Sequence, residues 1–128
     1  MNGTPLRWAI VVVDFEPTAG HEQAGQRRAL AVSYEAFHRS GVATVCPISA
    51  REVRYPGEVT IPKGHAGQTK DAVVRCHQVR TIDLQRVSAF QLAGKVQYLT
   101  DAGLRRQVRA ALARHLGLDM HGSSDGAA

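Results

Sequence analysis

Up to Leu99 the apolar residues of this chain come in short runs broken by glycine and proline; only beyond it do they settle into helical spacing. That ordering restricts the fold more than any other feature. Short runs bounded by turn residues read as strands, whereas a sustained 3.6-residue stripe reads as a helix. The expectation is a small, mainly β fold of barrel type followed by one amphipathic helix. A closed barrel would leave no exposed strand edge.

Ala9 to Phe15 is an apolar run ended by Pro17 and reads as a buried strand. Residues 16–26 form a polar, glycine-containing loop, and Arg28 to Ser33 reads as a second strand. Tyr34 to Arg39 is a polar connection with room for one helical turn. Val42 to Ser49 is a third strand, in which Pro47 points to an edge position or a bulge. Arg51 to Gly57 is a basic loop closed by Tyr55-Pro56-Gly57, and Glu58 to Ile61 alternates as a short half-buried strand. After a glycine-rich turn region, Ala72 to Val79 reads as a fifth strand, Leu84 to Leu92 as a short helix and Gly94 to Leu99 as a last strand. Thr100 then serves as N-cap, with Asp101 in the first turn and Leu99 and Leu104 at the staple positions. Leu104, Val108, Ala111, Leu112 and Leu116 make the apolar stripe, and Gly117 ends the helix.

At 128 residues the natural expectation is one domain. Sixteen Lys and Arg against eleven Asp and Glu give a net charge of +5, which favours a polyanionic partner. No apolar run reaches the roughly 18 residues that span a bilayer, and residues 1–7 lack the order of a secretory signal. The expected location is the cytoplasm. There, Cys46 and Cys76 read as small buried hydrophobes. Cysteine and histidine spacings match no metal motif, so neither a metal nor another cofactor is expected.

Three blocks carry a resemblance: DFEPTAGHEQAGQRRALAVS from Asp14, VCPISAR from Val45 with the following Tyr55-Pro56-Gly57, and DAVVRCHQVRTID from Asp71. In order and spacing they resemble the MazF/PemK toxin family, in detail its PemK/Kid branch. The resemblance spans residues 7–118 and implies an SH3-like barrel of the PemK/CcdB type with a C-terminal helix. It also implies a homodimer, metal-free cleavage of single-stranded RNA (mRNA, tRNA or rRNA), and neutralisation by a cognate MazE/PemI-like antitoxin. Residues 1–118 would then be one toxin domain and 119–128 a flexible tail. The chain departs from the family pattern at Trp8-Ala9, where Gly-Asp is usual, at Arg28, where proline is usual, and at His77, where the branch commonly has aspartate.

Metal-free RNA cleavage needs a base for the 2′-hydroxyl proton, an acid for the leaving 5′-oxygen, and cations around the phosphorane. The resemblance places His77 at the position of the branch's base, and a neutral imidazole suits that task. The alternative is a strand histidine facing solvent or a partner subunit. If Ala72 to Val79 is one strand, Arg75 and His77 share a face. Arg75 then stabilises charge, because a guanidinium does not deprotonate. His21 and Glu22 complete a proton relay or orient phosphate-binding groups, Arg27 contacts phosphate, and the Ser49 hydroxyl donates to it. Gln23, Arg51, Gln78 and Arg80 are candidate RNA contacts, and Arg28 reads as ordinary surface. Phe15 either stacks a base or packs in the core. Two other functions fit the same fold: a CcdB-like gyrase poison, disfavoured by the Ser124 to Ala128 ending, and a non-catalytic RNA-binding module.

Overall fold

A computed structural model describes residues 4–22, 24–89 and 95–118. Among these residues seven strands precede one helix: β1 Ile10–Asp14, β2 Gln26–Ala31, β3 Val42–Ser49, β4 Glu58–Ile61, β5 Ala72–Arg75, β6 Arg80–Asp83, β7 Val87–Ala89 and α1 Ala102–His115. They form one antiparallel sheet in the order β4-β5-β3-β2-β1-β7, with β6 also on β3. Mainly β with a C-terminal helix is thus the architecture found. The sheet is not closed, because no ladder joins β4 to β7 among the described residues.

Strand β3 organises the sheet by changing partners. Val42 to Val45 pair with β6, while Ile48 and Ser49 pair with β5. Pro47 falls between these two ladders, opposite Ala29 of β2. It therefore lies in a central strand rather than at an edge, at the point where the outer side of β3 needs no donor.

Both faces of the sheet are covered. Alternate residues separate cleanly: Ile10, Leu30, Cys46, Ile48 and Val74 join one buried cluster, and Val11, Val13, Ala29, Ala31 and Val45 the other. Two covered faces explain why the strands read as apolar runs rather than as alternating ones. Helix α1 lays Leu104, Val108 and Ala111 on the first cluster. Leu116, assigned to the stripe by its spacing, is instead 57% exposed. It occupies the C-cap, and Gly117 beyond it adopts φ 72°, the left-handed geometry that ends helices.

Four local expectations change. The N-cap is Asp101, whose carboxylate accepts from Leu104 N at 2.9 Å; Thr100 lies one residue outside. The fifth strand stops at Arg75, and Cys76–Gln78 form a 3-10 turn. Of the expected helix Leu84 to Leu92, the described residues form a 3-10 turn, Leu84–Arg86, followed by β7, and residues 90–92 lie outside them. Tyr98 forms an isolated bridge to Ala9. The expected strand beginning at Gly94 and the expected flexible tail 119–128 fall partly or wholly outside the described residues. Cys46 and Cys76 are both free and buried.

Candidate functional site

The polar loop after β1 is fastened at its stem by cations from a distant part of the chain. Phe15 N and Gly25 O close the loop at 3.0 Å, and the Glu16 carboxylate accepts from Gly25 N at 3.0 Å. Arg80 of β6 donates to the Phe15 carbonyl at 3.3 Å and stands over its ring at 5.5 Å. Arg86 donates to the Asp14 and Glu16 carbonyls. Gln78 reaches the His21 carbonyl at 3.4 Å. Within the loop, Glu22 accepts from Ala19 N at 2.7 Å, and the His21 and Glu22 side chains face solvent.

A second cluster surrounds Glu58. The turn Tyr55-Pro56-Gly57 returns the chain so that the Glu58 side chain is fully buried beneath the basic loop. Gly57 has φ 88°, and a Cβ there would stand 3.3 Å from that of His77. The Glu58 carboxylate accepts two hydrogen bonds from Arg51, one from Arg75 Nε at 3.3 Å, and the N–H groups of Arg54 and Tyr55 at 2.8 and 3.2 Å. Burial alone would raise its carboxyl, but these donors, Arg51 first among them, hold it at about 2. Glu58 is thus a permanent anion that fixes two guanidinium groups, not a proton carrier.

His77 adjoins this cluster through Tyr55. The Arg51 guanidinium lies 5.8 Å from the Tyr55 ring, whose centroid is 5.6 Å from that of His77. Burial and then the nearby Arg75 charge push the imidazole below its ordinary range. At neutral pH it is uncharged. Its Nδ1 is buried and has no hydrogen-bond partner among the described residues.

Beside the cluster opens a cleft of about 620 Å³. Val12, Ile48 and Ala50 give it an apolar lining, while Gln26, Arg27, Arg28, Ser49 and Arg51 give it donors. Of the residues named from sequence, the cleft gathers Arg27, Ser49 and Arg51. Arg75 joins them through Glu58. His77 stands one side chain further out and does not line the cleft. Because Arg75 ends a strand and His77 sits in a 3-10 turn, the shared strand face expected for them is absent.

One expected RNA contact is corrected. Phe15 is wholly buried in the second cluster, so its ring packs rather than stacks a base. Arg80 is half-buried against it and holds the loop stem. Gln23 lies outside the described residues. Sequence reasoning missed Glu58, Arg28 and Gln68. The signal for Glu58 was present: a loop carrying Arg51 and Arg54 that folds back on itself needs an anion near its closure. Arg28 is no ordinary surface residue, since it lines the cleft and donates to the buried Gln68 amide oxygen. Among the described residues no three His, Cys, Asp or Glu side chains cluster so as to hold a metal ion.

Among the described residues the chain is thus a small β scaffold with one helix and an arginine-rich cleft. Residues 6–116 match the model of the PemK-like, MazF-like toxins of type II toxin–antitoxin systems, and the chain belongs to that family. It is 35% identical over 74 residues to the endoribonuclease toxin MazF of Escherichia coli K12, a match covering 57% of this chain and 63% of that protein. It is 40% identical over 103 residues to the endoribonuclease toxin ChpB of the same strain, covering 78% of this chain and 88% of that protein. The crystal structure of MazF from Deinococcus radiodurans superposes with a TM-score of 0.69 at 33% identity, covering 88% of this chain and 96% of that one.

Proposed function

We propose that this chain is a sequence-specific endoribonuclease toxin that cuts single-stranded RNA without a metal. The observation that carries the reading is the cleft where Arg27, Arg28 and Arg51 meet the Ser49 end of β3, in a chain whose relatives MazF and ChpB are named endoribonucleases. Those names favour cleavage over gyrase poisoning on the same fold.

In this reading Arg27, Arg51 and the Ser49 hydroxyl bind the scissile phosphate. Arg75 and Arg51 hold their positions because Glu58 fixes them, so little reorganisation is needed as charge builds on the phosphorane. A base takes the 2′-hydroxyl proton, that oxygen attacks phosphorus, and the 5′-oxygen leaves with a proton from an acid. The ends are a 2′,3′-cyclic phosphate and a 5′-hydroxyl. His77, uncharged at neutral pH, serves as base once RNA or a second subunit closes the short distance to the cleft. His21 and Glu22, exposed on the adjoining loop, supply the acid. A solved MazE–MazF complex of Deinococcus radiodurans, 26% identical with a TM-score of 0.66, supports an antitoxin as protein partner. We place the toxin in the cytoplasm as a homodimer. No helix among the described residues is long and apolar enough to cross a membrane.

The test is incubation of purified, antitoxin-free protein with total RNA in EDTA, followed by mapping of the ends. Recurrent cuts at one short motif with cyclic-phosphate ends are expected. Intact RNA after prolonged incubation with folded protein would refute the reading.

A further inference from the structure

We propose that Arg28 forms a second phosphate subsite in the cleft, distinct from the one that holds the scissile group. The proposal rests on the RNA-cleaving reading and extends it by one contact.

Arg51 also lines the cleft, but its guanidinium is ion-paired with the buried Glu58 carboxylate, which it shares with Arg75. Arg28 differs. It is half-buried, and none of the ion pairs among the described residues involves it. Its hydrogen bond goes instead to a neutral group, the amide oxygen of Gln68. Gln68 is only 3% exposed, the one polar residue in the buried set of the described residues. Its backbone carbonyl accepts from Gly64 N at 2.9 Å, and its side-chain amide nitrogen donates to the Ala66 carbonyl at 2.9 Å. That fixes which end of the amide faces Arg28. The result is a pinned guanidinium that keeps its full charge at a concave surface, where low-dielectric walls concentrate the field. A buried carboxylate at position 68 would have given an internal ion pair; an amide gives a cation held ready for an external anion.

Position separates this anion from the one on Arg27. Arg27 and Arg28 are consecutive in β2, paired with Val13 and Val12 of β1 respectively. Consecutive strand residues project to opposite faces. Val13 is buried in one core cluster, whereas Val12 opens on the cleft. Both side chains line the one cleft, but they leave β2 on opposite sides before reaching it, so each takes its own phosphate along the RNA backbone.

The experiment measures binding of an uncleavable 2′-O-methyl RNA, carrying the mapped cleavage motif, across a series of salt concentrations. Each phosphate neutralised on a single strand contributes about 0.7 to the slope of log affinity against log salt. Arg28→Gln is expected to reduce that slope by about 0.7 and to weaken binding about tenfold at low salt. Gln68→Glu keeps Arg28 but puts a carboxylate beside it, and is expected to reduce the slope equally. Thermal melts of both variants establish that they fold. A folded Arg28→Gln or Gln68→Glu protein with the parental slope overturns the subsite while leaving the nuclease reading intact. A salt-independent parent overturns the RNA reading and the subsite with it.

Discussion

Replacing Glu58 by glutamine tests the arrangement on which the basic cluster depends. The side chain keeps its shape but loses the charge that Arg51 and Arg75 share. A carboxyl held at about 2 instead of 4.5 is stabilised in its charged form by about 3 kcal/mol, at 1.36 kcal/mol per tenfold change in proton affinity. Since the folded value lies below the unfolded one, this stabilisation is complete above pH 4.5 and is lost as pH falls toward 2. Breaking a buried pair from one side costs about 3–5 kcal/mol. Both arginine side chains retain 16% exposure, which favours the lower end. Glu58→Gln should therefore cost about 3 kcal/mol at pH 7, a fall in Tm of about 10 °C for a chain of this size. The variant should also lose the parent's steep decline in stability between pH 4.5 and pH 2. Guanidinium titrations at pH 7, 4.5 and 3 measure both effects. A variant as stable as the parent at pH 7, or one that declines in acid with the same steepness, would show that Glu58 does not anchor the cluster.

The remaining predictions are narrower. His77→Ala should slow RNA cleavage by roughly 10²–10⁴-fold; because burial and Arg75 lower the imidazole's proton affinity, the acid limb of the pH–rate profile should fall below pH 6.5 and vanish in the variant. A limb that persists would take His77 out of the proton transfer. Asp101→Ala should cost about 1 kcal/mol and Thr100→Ala far less, since Asp101 makes the cap contact; thermal melts with the reverse ranking would restore Thr100 as the cap. Trp8 combines burial with φ 69°, a conformation that costs a residue with a Cβ about 1–2 kcal/mol. Trp8→Ala should cost about 3–5 kcal/mol through lost packing, and Trp8→Gly about 1 kcal/mol less. Equal losses in denaturant titrations would mean that the backbone there carries no strain.

The fold was legible because each strand states its own period and its own ends. Val42–Ser49 and Glu58–Ile61 stand where their turn residues put them, and the helix follows from spacing that no strand sustains. Errors came where two local readings were equally good. Thr100 and Asp101 are both capping residues, and only the path of the chain selects between them. Val73, Val74, Cys76 and Val79 carry on an apolar pattern with no glycine or proline to interrupt it, yet Cys76 N turns to the Gly57 carbonyl at 3.0 Å and the ladder ends. Pro47 correctly signalled a missing donor, but the gap belongs to a strand exchanging partners, not to a sheet edge.

The site was legible only in part, for a different reason. Period tells which side of a strand a residue faces, not what covers that side. Glu58 alternates away from Val59 and Ile61 as a solvent-facing residue should, but the basic loop folds over it and turns an outward acid into the most buried charge near the cleft. Arg28 looks like surface for the same reason until Gln68, 40 residues further along the chain, comes to lie beneath it. Conversely, Phe15 at the mouth of the polar loop is taken by the core. What the sequence displays are the groups chemistry needs: arginines, histidines and a serine at loop ends. What it conceals are the partners that decide each group's work, a carboxylate for Arg51 and Arg75, an amide for Arg28. On that distinction Arg51 and Arg75 share one carboxylate of the protein's own, whereas Arg27 and Arg28, the cleft's cations outside the ion pairs of the described residues, sit together on β2.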